Sequence, residues 1–484
     1  MSTVQGGSQI ANGRLLLSID FGTRNSYAPN LLNHSNWIAG SGSISADASL
    51  TGSTGYTMVG TASENIRSYE TDPYGYSTVV WTSPANDLDT SPTGDPDGGF
   101  ATSNFDIDSK KMYRFSIWIK RSASDPATRG YVYLGMRGTG GNSYGGNTQP
   151  ISLRLNGSTN SNPYFYFSRS STHPPQSNAG EWTLLVGHIW PYGSGTGSNH
   201  PDTGAWTIAG GQTYSNAASS WTDVNNFRDM SWLSNINSAG HRTFLYYSTD
   251  ATENVKFAYP RVDIIDGREP SIAELLVGPD IIRDLSKESK TMVPTLANSS
   301  NWRSNKVGSF GFSGTMSFLD PATTALGASN SIDIWFKRRA SINSLNILFS
   351  RQLPYFAFRS DGNFQYSNRI NLSQAIVSSS ATYTNGIWYN AVCTTDYASA
   401  INVSTMRIYV DGGLEGSGTF SGSQTNYGTS MDRIMIGAHL NGLITGSQYY
   451  YHFDGDIGEV RVYDRSLTAE EILAGYNKRK NRYK

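Results

Sequence analysis

The chain has 484 residues, of which 50 are glycine, one is cysteine, 12% are aromatic and 15% are charged, and its formal net charge is −1. This length predicts about two or three domains, the near-zero charge argues against a nucleic-acid binder, and the aromatic content excludes wholesale disorder. Frequent Gly, Ser, Thr, Asn and aromatic residues are typical of short strands joined by tight turns, so we predict an all-β protein.

The N-terminal segment and the single cysteine bear on the compartment. Residues 1–7 lack the basic and apolar regions of a secretory signal peptide, and no apolar run approaches the roughly 20 residues of a membrane span. Cys393 has no possible intramolecular disulfide partner. We therefore expect a protein that folds in a reducing cytoplasm and has no membrane span.

The first half of the chain contains a series of predicted strands that ends in a helix. Residues 115–121 alternate apolar and polar side chains, and a strand led by a tryptophan follows at 182–186. A last strand at 262–266 precedes Ser271, which stands three residues before Glu274. This spacing is that of a capping box, so we predict a final strand, a turn and one short helix.

The same order recurs in the second half of the chain. The corresponding strands are 332–338, 387–392 and 460–464, and the capping box is formed by Thr468 and Glu471. The tryptophans of these strands alternate with polar residues and are predicted to be core side chains: Trp118, Trp182, Trp335 and Trp388. The recurrence predicts two jelly-roll β-sandwich domains, each closed by a short C-terminal helix.

The second half resembles the laminin-G-like, concanavalin A-like jelly rolls. The residues that carry this resemblance are the closing segment 453–472, the strand 387–392, and the strand 406–411 with the glycines that follow it. The three motifs occur in the order expected of the family. Gly458 stands where the family often has Asp, which argues against an acidic ligand at that position.

The family normally opens with a strand that resembles residues 15–20, and its next segments resemble 284–286 and 308–314. These pieces are separated by about the length of one domain. We therefore predict that one domain is inserted into a discontinuous laminin-G-like domain. The predicted boundaries are 28–283 for the insert, 10–27 plus 284–477 for the laminin-G-like domain, and 478–484 for a basic tail.

Two alternatives stay open. Residues 29–37 are similar to residues 294–302, which suggests a plain tandem repeat of two continuous domains. The basic tail 478–484 is either a solvated continuation of the last helix or a segment that docks onto an acidic partner surface.

The first domain resembles the jelly rolls, similar to carbohydrate-binding modules, of phage structural and tail proteins. The residues concerned are 30–32 with Trp37, 113–120, 180–182 and 259–275. Together, the two resemblances imply a bacteriophage virion structural protein: a fibre, appendage or capsid decoration subunit. Such a subunit would be assembled in the host cytoplasm, would form a homo-oligomer with other virion proteins as partners, and would have host-surface glycans as a candidate ligand.

The alternative function is a secreted bacterial protein that binds or hydrolyses carbohydrate. The missing signal peptide and disulfides argue against secretion. Glycoside hydrolysis needs two carboxylates that flank the scissile bond, and no Glu here begins the Glu-x-Asp-x-(x)-Glu strand typical of the enzymes with this fold. We therefore predict that the protein is not an enzyme.

One acidic loop is a candidate metal site. Asp95 and Asp97 alternate on the glycine-bearing segment 94–99, and carboxylates in such a loop can bind Ca²⁺. An Asp-Gly turn whose side chains bond their own backbone is the alternative interpretation. No Cys or His pair shows zinc spacing, so Ca²⁺ is the one cofactor considered.

Aromatic side chains on loops are the candidate glycan-binding residues. Trp190, Tyr192, His200 and Trp206 lie in the Gly/Ser-rich stretch 190–240, and Tyr450 precedes the closing motif of the second domain. Exposed aromatic faces beside polar loop groups are what sugar binding uses in such modules. The alternatives are packing beneath long loops and contact between subunits.

Overall fold

Strands dominate the chain, as the sequence predicted. The structure is a computed structural model that describes residues 15–23, 28, 30–32, 37–46, 53–84, 96–122, 130–138, 151–160, 163–168, 179–194, 197–214, 227–248, 252–279, 282–283, 285–286, 291–296, 303–305, 309–313, 316–323, 326–339, 345–351, 354–424, 433–440 and 449–484. The all-β prediction is confirmed for these residues.

The first strands of the chain, in order, are β1 Leu15–Asp20, β2 Gly40–Ser41, β3 Tyr56–Met58, β4 Ile66–Thr71, β5 Ser77–Pro84, β6 Pro96–Thr102, β7 Phe105–Asp106, β8 Met112–Arg121 and β9 Tyr131–Gly138. They are followed by β10 Ser152–Arg154, β11 Thr159–Asn160, β12 Tyr164–Ser168, β13 Thr183–Trp190, β14 Gly204–Thr207, β15 Gly211–Tyr214, β16 Met230–Trp232, β17 Ser238–Tyr246 and β18 Asn254–Ile265. Helix α1, Ile272–Leu275, closes this part of the chain.

The later strands are β19 Ile282–Arg283, β20 Thr291–Leu296, β21 Arg303–Asn305, β22 Ser309–Ser313, β23 Met316–Thr323, β24 Asn330–Arg338, β25 Leu345–Ser350, β26 Tyr355–Arg359 and β27 Phe364–Ile370. They continue with β28 Ser373–Ser378, β29 Trp388–Ala398, β30 Val403–Val410, β31 Gly413–Ser421, β32 Arg433–Ile436, β33 His439–Leu440, β34 Tyr449–Tyr450 and β35 Asp454–Tyr463. Helix α2, Ala469–Tyr483, follows β35, and short 3-10 helices lie at Ala62–Glu64 and Ser399–Ile401.

The chain divides into two compact units. Unit 1 comprises Met1–Tyr27, Asp280–Ala297 and Trp302–Lys484, and unit 2 comprises Ala28–Pro279 with Asn298–Asn301. Within unit 1, β1 pairs antiparallel with β35, near the other end of the chain. The inserted-domain arrangement stays a prediction, and this division and this pairing are the observations that support it.

Unit 2 is built from an 11-stranded and a six-stranded sheet. The larger sheet has the order β11-β10-β16-β13-β8-β18-β5-β4-β2, with β14 added beside β13 and β15 beside β14. The smaller sheet has the order β12-β9-β17-β6-β3, with β7 beside β17. Alternate residues of a strand face opposite sides of its sheet, and Phe115, Ile117 and Ile119 of β8 join Leu134 of β9 in one buried core.

Unit 1 contains two eight-stranded sheets. One has the order β21-β22-β35-β24-β29-β30-β31, with β1 beside β35, and the other has the order β19-β20-β23-β32-β25-β26-β27-β28. Phe336 of β24 lies 6.0 Å from Phe358 and 5.5 Å from Phe364, measured between ring centroids. Since Phe358 and Phe364 belong to the other sheet, the core of this unit lies between the two sheets.

Both predicted capping boxes are present. The backbone N–H of Glu274 donates to Ser271 Oγ at 3.2 Å, and Glu274 Oε2 accepts from the Ser271 N–H at 2.8 Å. Thr468 and Glu471 make the same reciprocal pair at 3.2 and 3.0 Å. Each pair satisfies amides that have no partner within the first helical turn, so the prediction of a closing helix in each domain is confirmed.

The predicted core tryptophans are all buried, but Trp118 and Trp335 lie on the outer faces of their sheets. Trp335 stacks on Tyr483 of α2, with ring centroids 4.4 Å apart. Trp118 Nε1 donates to Tyr74 Oη at 3.1 Å, and Tyr74 Oη donates to the carbonyl of Leu275 in α1 at 2.8 Å. In unit 1 the closing helix therefore covers a tryptophan on the face opposite the sandwich core, and in unit 2 Tyr74 links such a tryptophan to the closing helix.

The basic run 478–484 is the end of α2 rather than a solvated tail. Arg479 donates to Glu459 at 2.8 Å and to Asp333 at 2.6 Å, and Arg482 donates to Asp20 at 2.6 Å. These contacts follow because the helix continues through the run and its side chains reach the acidic residues of the sheet beneath.

Gly458 on β35 leaves space for α2. A Cβ atom at this position would lie 2.5 Å from Tyr483 Oη and 2.7 Å from Tyr483 Cζ, well inside van der Waals contact. The ring of Tyr483 thus occupies the space that a side chain at position 458 would need.

Candidate functional site

Three of the predicted glycan-binding residues share the outer face of the larger sheet of unit 2. Trp190 is the last residue of β13, and its neighbour Ile189 points into the core. Trp206 of β14 pairs with Leu184 of β13, six residues before Trp190. At about 3.3 Å per residue, the Cα positions of Trp190 and Leu184 are separated by about 20 Å along β13. His200 contacts Trp190 from the connection between β13 and β14.

A buried carboxylate, Asp229, holds one end of this arrangement together. Its Oδ2 accepts from the backbone N–H of His200 at 2.6 Å and from Trp190 Nε1 at 3.3 Å. Its Oδ1 accepts from the backbone N–H of His188 at 3.0 Å and from Thr203 Oγ1 at 2.7 Å. Because four donors from two chain segments converge on one side chain, Asp229 fixes the position of the indole of Trp190 and of the segment that carries His200.

Burial controls the titration of this cluster. Desolvation raises the pKa of Asp229 to about 6, against the opposing effect of the hydrogen bonds that it accepts. Desolvation also lowers the pKa of His188 well below its ordinary value, with the neighbouring His200 and Arg114 adding to the effect. The pKa of His200 is lowered chiefly by its partial burial. Both imidazoles are therefore neutral at neutral pH.

The other end of the arrangement surrounds Trp206 with polar groups. Trp206 Nε1 donates to the carbonyl of Asp202 at 3.0 Å, and the Asp202 N–H donates to His200 Nδ1 at 3.2 Å. Because Nδ1 is an acceptor here, the proton of neutral His200 lies on Nε2. Gln212 pairs with Trp206 and uses its amide N–H groups to reach Pro201 O at 3.1 Å, so its Oε1 stays available as an acceptor.

We call these residues, Trp190, Tyr192, His200 and Trp206, the indole stripe. Both indole N–H groups are engaged within the protein, so the ring faces are held in fixed positions and each indole is partly exposed. Tyr192, just beyond β13, is 52% exposed. The stripe therefore presents aromatic surface together with the carboxylate of Asp202.

The remaining predicted site residues are not brought to the stripe. Tyr450 lies on β34 in unit 1, and its side chain is outside the described residues, as is Asp95. Asp97 is fully buried on β6, where its Oδ2 accepts from the Ser248 N–H at 2.8 Å. No group of three or more His, Cys, Asp or Glu residues within the described ranges could hold a metal ion, and the Ca²⁺ site stays a prediction.

Sequence reasoning missed two features of unit 2. The sequence around Asp229 does not predict its role, because nothing in a polar stretch indicates that an isolated Asp is buried. The second feature is an aromatic surface on the outer face of the smaller sheet, and its signal was the alternation of aromatic residues along β9, β12 and the end of β17. This tyrosine face consists of Tyr131, Tyr133, Tyr164, Arg242, Phe244, Tyr246 and Tyr247.

Unit 1 carries a groove of about 330 Å³ beside the turn between β27 and β28. Asn371, Ser373 and Gln374 line one side, and Thr419 and Phe420 of β31 line the other. Ile370 and Ala375 add apolar surface, so the lining is mixed polar and apolar, with no charged side chain and one aromatic ring.

Part of the chain is similar to a known protein family. Residues 312–473 match the laminin-G family described as the concanavalin A-like lectin/glucanases superfamily. A laminin-G-like domain of that superfamily thus lies within unit 1, as its resemblance predicted. No helix in the part of the chain that the structure describes is long and apolar enough to cross a membrane.

Similar solved structures include domain 4 of a GH43 extracellular arabinanase from Geobacillus stearothermophilus, in complex with arabinotriose, at 16% identity and a TM-score of 0.32, covering 40% of this chain and 90% of that one. A pentraxin from Limulus polyphemus matches at 15% identity and a TM-score of 0.26, covering 34% of this chain and 78% of that one. The binding domain of botulinum neurotoxin serotype D matches at 14% identity and a TM-score of 0.29, covering 41% of this chain and 49% of that one.

No curated protein matches the chain. Nothing in these comparisons indicates a bacteriophage origin. The virion assignment therefore stays a prediction.

Proposed function

We propose that this chain is a glycan-binding protein without catalytic activity and that the indole stripe of unit 2 holds its ligand. The observation that carries the proposal is the fixing of Trp190 and His200 by Asp229, with Trp206 tied to the same segment through Asp202. Side chains that are held before the ligand arrives lose little conformational freedom on binding. Fixed aromatic faces are therefore well suited to a flexible, weakly binding ligand such as a saccharide.

The groups beside the rings match the needs of sugar hydroxyls. Asp202 and Gln212 supply acceptors and His200 Nε2 supplies a donor, while the partly exposed rings supply apolar surface. A site of this kind orients its ligand with a few polar groups on a mostly apolar wall. The laminin-G-like domain of unit 1 belongs to a superfamily that is described by its lectins as well as its glucanases, which also supports a carbohydrate ligand.

A glycan array with the intact protein, followed by titration of the best ligand, tests the proposal. Tyr192→Ala is expected to weaken binding about tenfold, because loss of an aromatic contact costs on the order of 1 kcal/mol or more. Trp206→Ala is expected to weaken it at least as much. Neither change should unfold the protein, since both side chains are at least partly exposed.

Tyr69→Ala is the matched control. Tyr69 is 53% exposed, against 52% for Tyr192, and it lies on β4 of the same sheet, four strands from β13. At about 4.8 Å between strands, that places it about 19 Å away. Equal loss in the Tyr69 and Tyr192 variants, or no binding to any glycan by the intact protein, would refute the proposal.

The finer assignment, a virion fibre, appendage or capsid decoration subunit that forms homo-oligomers, is part of the same proposal. A lectin-like module displayed in many copies gains avidity for a repetitive host surface. Light scattering gives the oligomeric state of the protein. Mass spectrometry of purified virions tests whether the protein is incorporated into them. A monomer absent from such particles contradicts this finer assignment and leaves glycan binding untouched.

A further inference from the structure

The tyrosine face lies on the side of the smaller sheet opposite the core of unit 2. Val132 and Leu134 of β9 are in the core, so Tyr131 and Tyr133 point the other way. Phe244 of β17 is the direct cross-strand partner of Tyr133, and their rings are parallel at 4.7 Å. These contacts show a continuous aromatic layer on the outer surface of the sheet.

A glycine extends this layer across the sheet. A Cβ on Gly135 would lie 2.5 Å from Tyr164 Cδ1, so only glycine lets the ring of Tyr164 lie over the backbone of β9. The ring of Tyr164 then reaches Tyr133, with centroids 4.8 Å apart. The tyrosine hydroxyls are close enough to interact, since Tyr164, Tyr247 and Tyr131 all add to the effect of burial in raising the pKa of Tyr133.

Arg242 is the charged residue within this layer. Its guanidinium lies 4.5 Å from the ring centroid of Phe244, and its Nη1 donates weakly to Tyr164 Oη at 3.4 Å. Arg242 is only 8% exposed, yet it forms no ion pair with any carboxylate among the residues that the structure describes. Its Nε and Nη2 likewise make no hydrogen bond to those residues.

An arginine buried to this degree normally has an anionic partner. Burying a guanidinium removes hydration that a carboxylate would replace, and planar Arg groups favour bidentate pairing with carboxylates. The two remaining donors of Arg242, Nε and Nη2, are the pair that such a contact uses. The missing partner is therefore expected to come from a ligand.

We propose that the tyrosine face is a second binding site that takes an acidic glycan, with the carboxylate of a uronic acid residue paired to Arg242. This inference rests on the proposed function, which supplies the assumption that the ligand is a glycan. The sugar ring lies against the tyrosine rings, and its hydroxyls exchange hydrogen bonds with the phenol groups. The site is distinct from the indole stripe, because the two lie on different sheets of unit 2.

Calorimetric titration with matched acidic and neutral oligosaccharides tests this proposal on the unmodified chain. The probes are oligogalacturonate, oligomannuronate and a glucuronate-containing oligosaccharide, each compared with its fully methyl-esterified form. At least one acid is expected to bind about ten- to a hundredfold more tightly than its ester, because a charge-assisted hydrogen-bond pair is lost on esterification. Added salt should reduce this difference. Equal binding of acid and ester, or no binding of any acid, overturns the proposal.

Arg242→Gln should abolish the preference for the acid over its ester. Arg268→Gln removes the same charge from an exposed turn of the unit and should have no effect, which controls for net charge. Binding of a neutral array ligand at the indole stripe confirms that the Arg242→Gln protein is folded. Acid binding that survives Arg242→Gln but is lost in Trp206→Ala contradicts this inference while it supports the proposed function. Loss of the acid preference in Arg242→Gln, with no effect of the stripe variants on any glycan, supports the inference and refutes the indole stripe.

Discussion

Gly458→Ala is expected to destabilise unit 1 by displacing the end of α2. The φ of Gly458 is not in the left-handed region, so alanine meets no backbone strain there, and the cost comes from overlap of its Cβ with Tyr483. To restore contacts of about 3.5 Å, the ring must move by about 1 Å. That movement disturbs its stacking on Trp335 at 4.4 Å and its tilted contact with Trp388 at 4.9 Å, measured between ring centroids.

Two related substitution costs bound the loss of stability expected for Gly458→Ala. Overpacking a well-packed site costs about 1–3 kcal/mol, and removing a buried aromatic side chain costs about 3–5 kcal/mol. Tyr483 is 6% exposed, so its complete release sets the upper bound. We expect Gly458→Ala to cost about 2 kcal/mol. In a Tyr483→Ala background, the same glycine substitution should cost close to nothing.

The single cysteine makes the measurement specific to this unit. Cys393 is free, buried and part of unit 1, so pulse labelling of its thiol across a urea series reports unfolding of that unit alone. The double-mutant cycle of residues 458 and 483 should yield a coupling free energy of about 2 kcal/mol. Equal costs of Gly458→Ala in the presence and absence of the Tyr483 ring would refute the steric explanation.

Three further predictions concern single side chains. Asp229→Asn should lower the free energy of unfolding by about 2 kcal/mol, because an amide cannot accept from all four donors, and it should weaken glycan binding. Unchanged affinity by calorimetry would show that Asp229 does not position the indole stripe. Burial lowers the pKa of His241 to about 4, so its contribution to stability is complete above pH 6.5 and falls by about 3 kcal/mol as the pH drops to about 4. The urea midpoint of His241→Gln should therefore depend less steeply on pH than that of the unmodified chain, and equal slopes would contradict this prediction. Burial also raises the pKa of the Cys393 thiol, so a thiol reagent should modify it only in denaturant, and modification of the native chain at the same rate would contradict the burial.

Local patterns predicted the elements of the fold well. Alternation identified β8 and β24, and the Ser271 and Thr468 capping boxes located both closing helices, because these signals arise from neighbouring residues. What alternation could not show is which face of a strand a tryptophan occupies. Trp335 was expected in the core, but both faces of β24 are buried, and only the three-dimensional position of α2 reveals the second buried face.

The candidate site was predictable in part for the same reason. The aromatic residues Trp190 and Trp206 were visible by composition, but the bonds that fix them come from Asp229 and Asp202, whose roles depend on contacts across the fold. For the basic run after Asn477, the charge density left a solvated tail and docking onto an acidic partner surface as alternatives. In the structure, Arg479 pairs with two buried carboxylates of its own unit, a pairing that a sequence pattern does not show.

The two closing helices differ in how they relate to the tryptophans on the outer faces of their sheets. In unit 2, Trp118 packs against Tyr74, whose hydroxyl donates to Leu275 of the four-residue helix α1. In unit 1, Trp335 and Trp388 both need cover, and the 15-residue helix α2 supplies it with Tyr476 and Tyr483. An arginine–carboxylate pair lies on the same outer face as the tryptophan in each case, Arg114 with Asp263 and Arg479 with Asp333. The longer closing helix thus accompanies the larger outer-face aromatic surface.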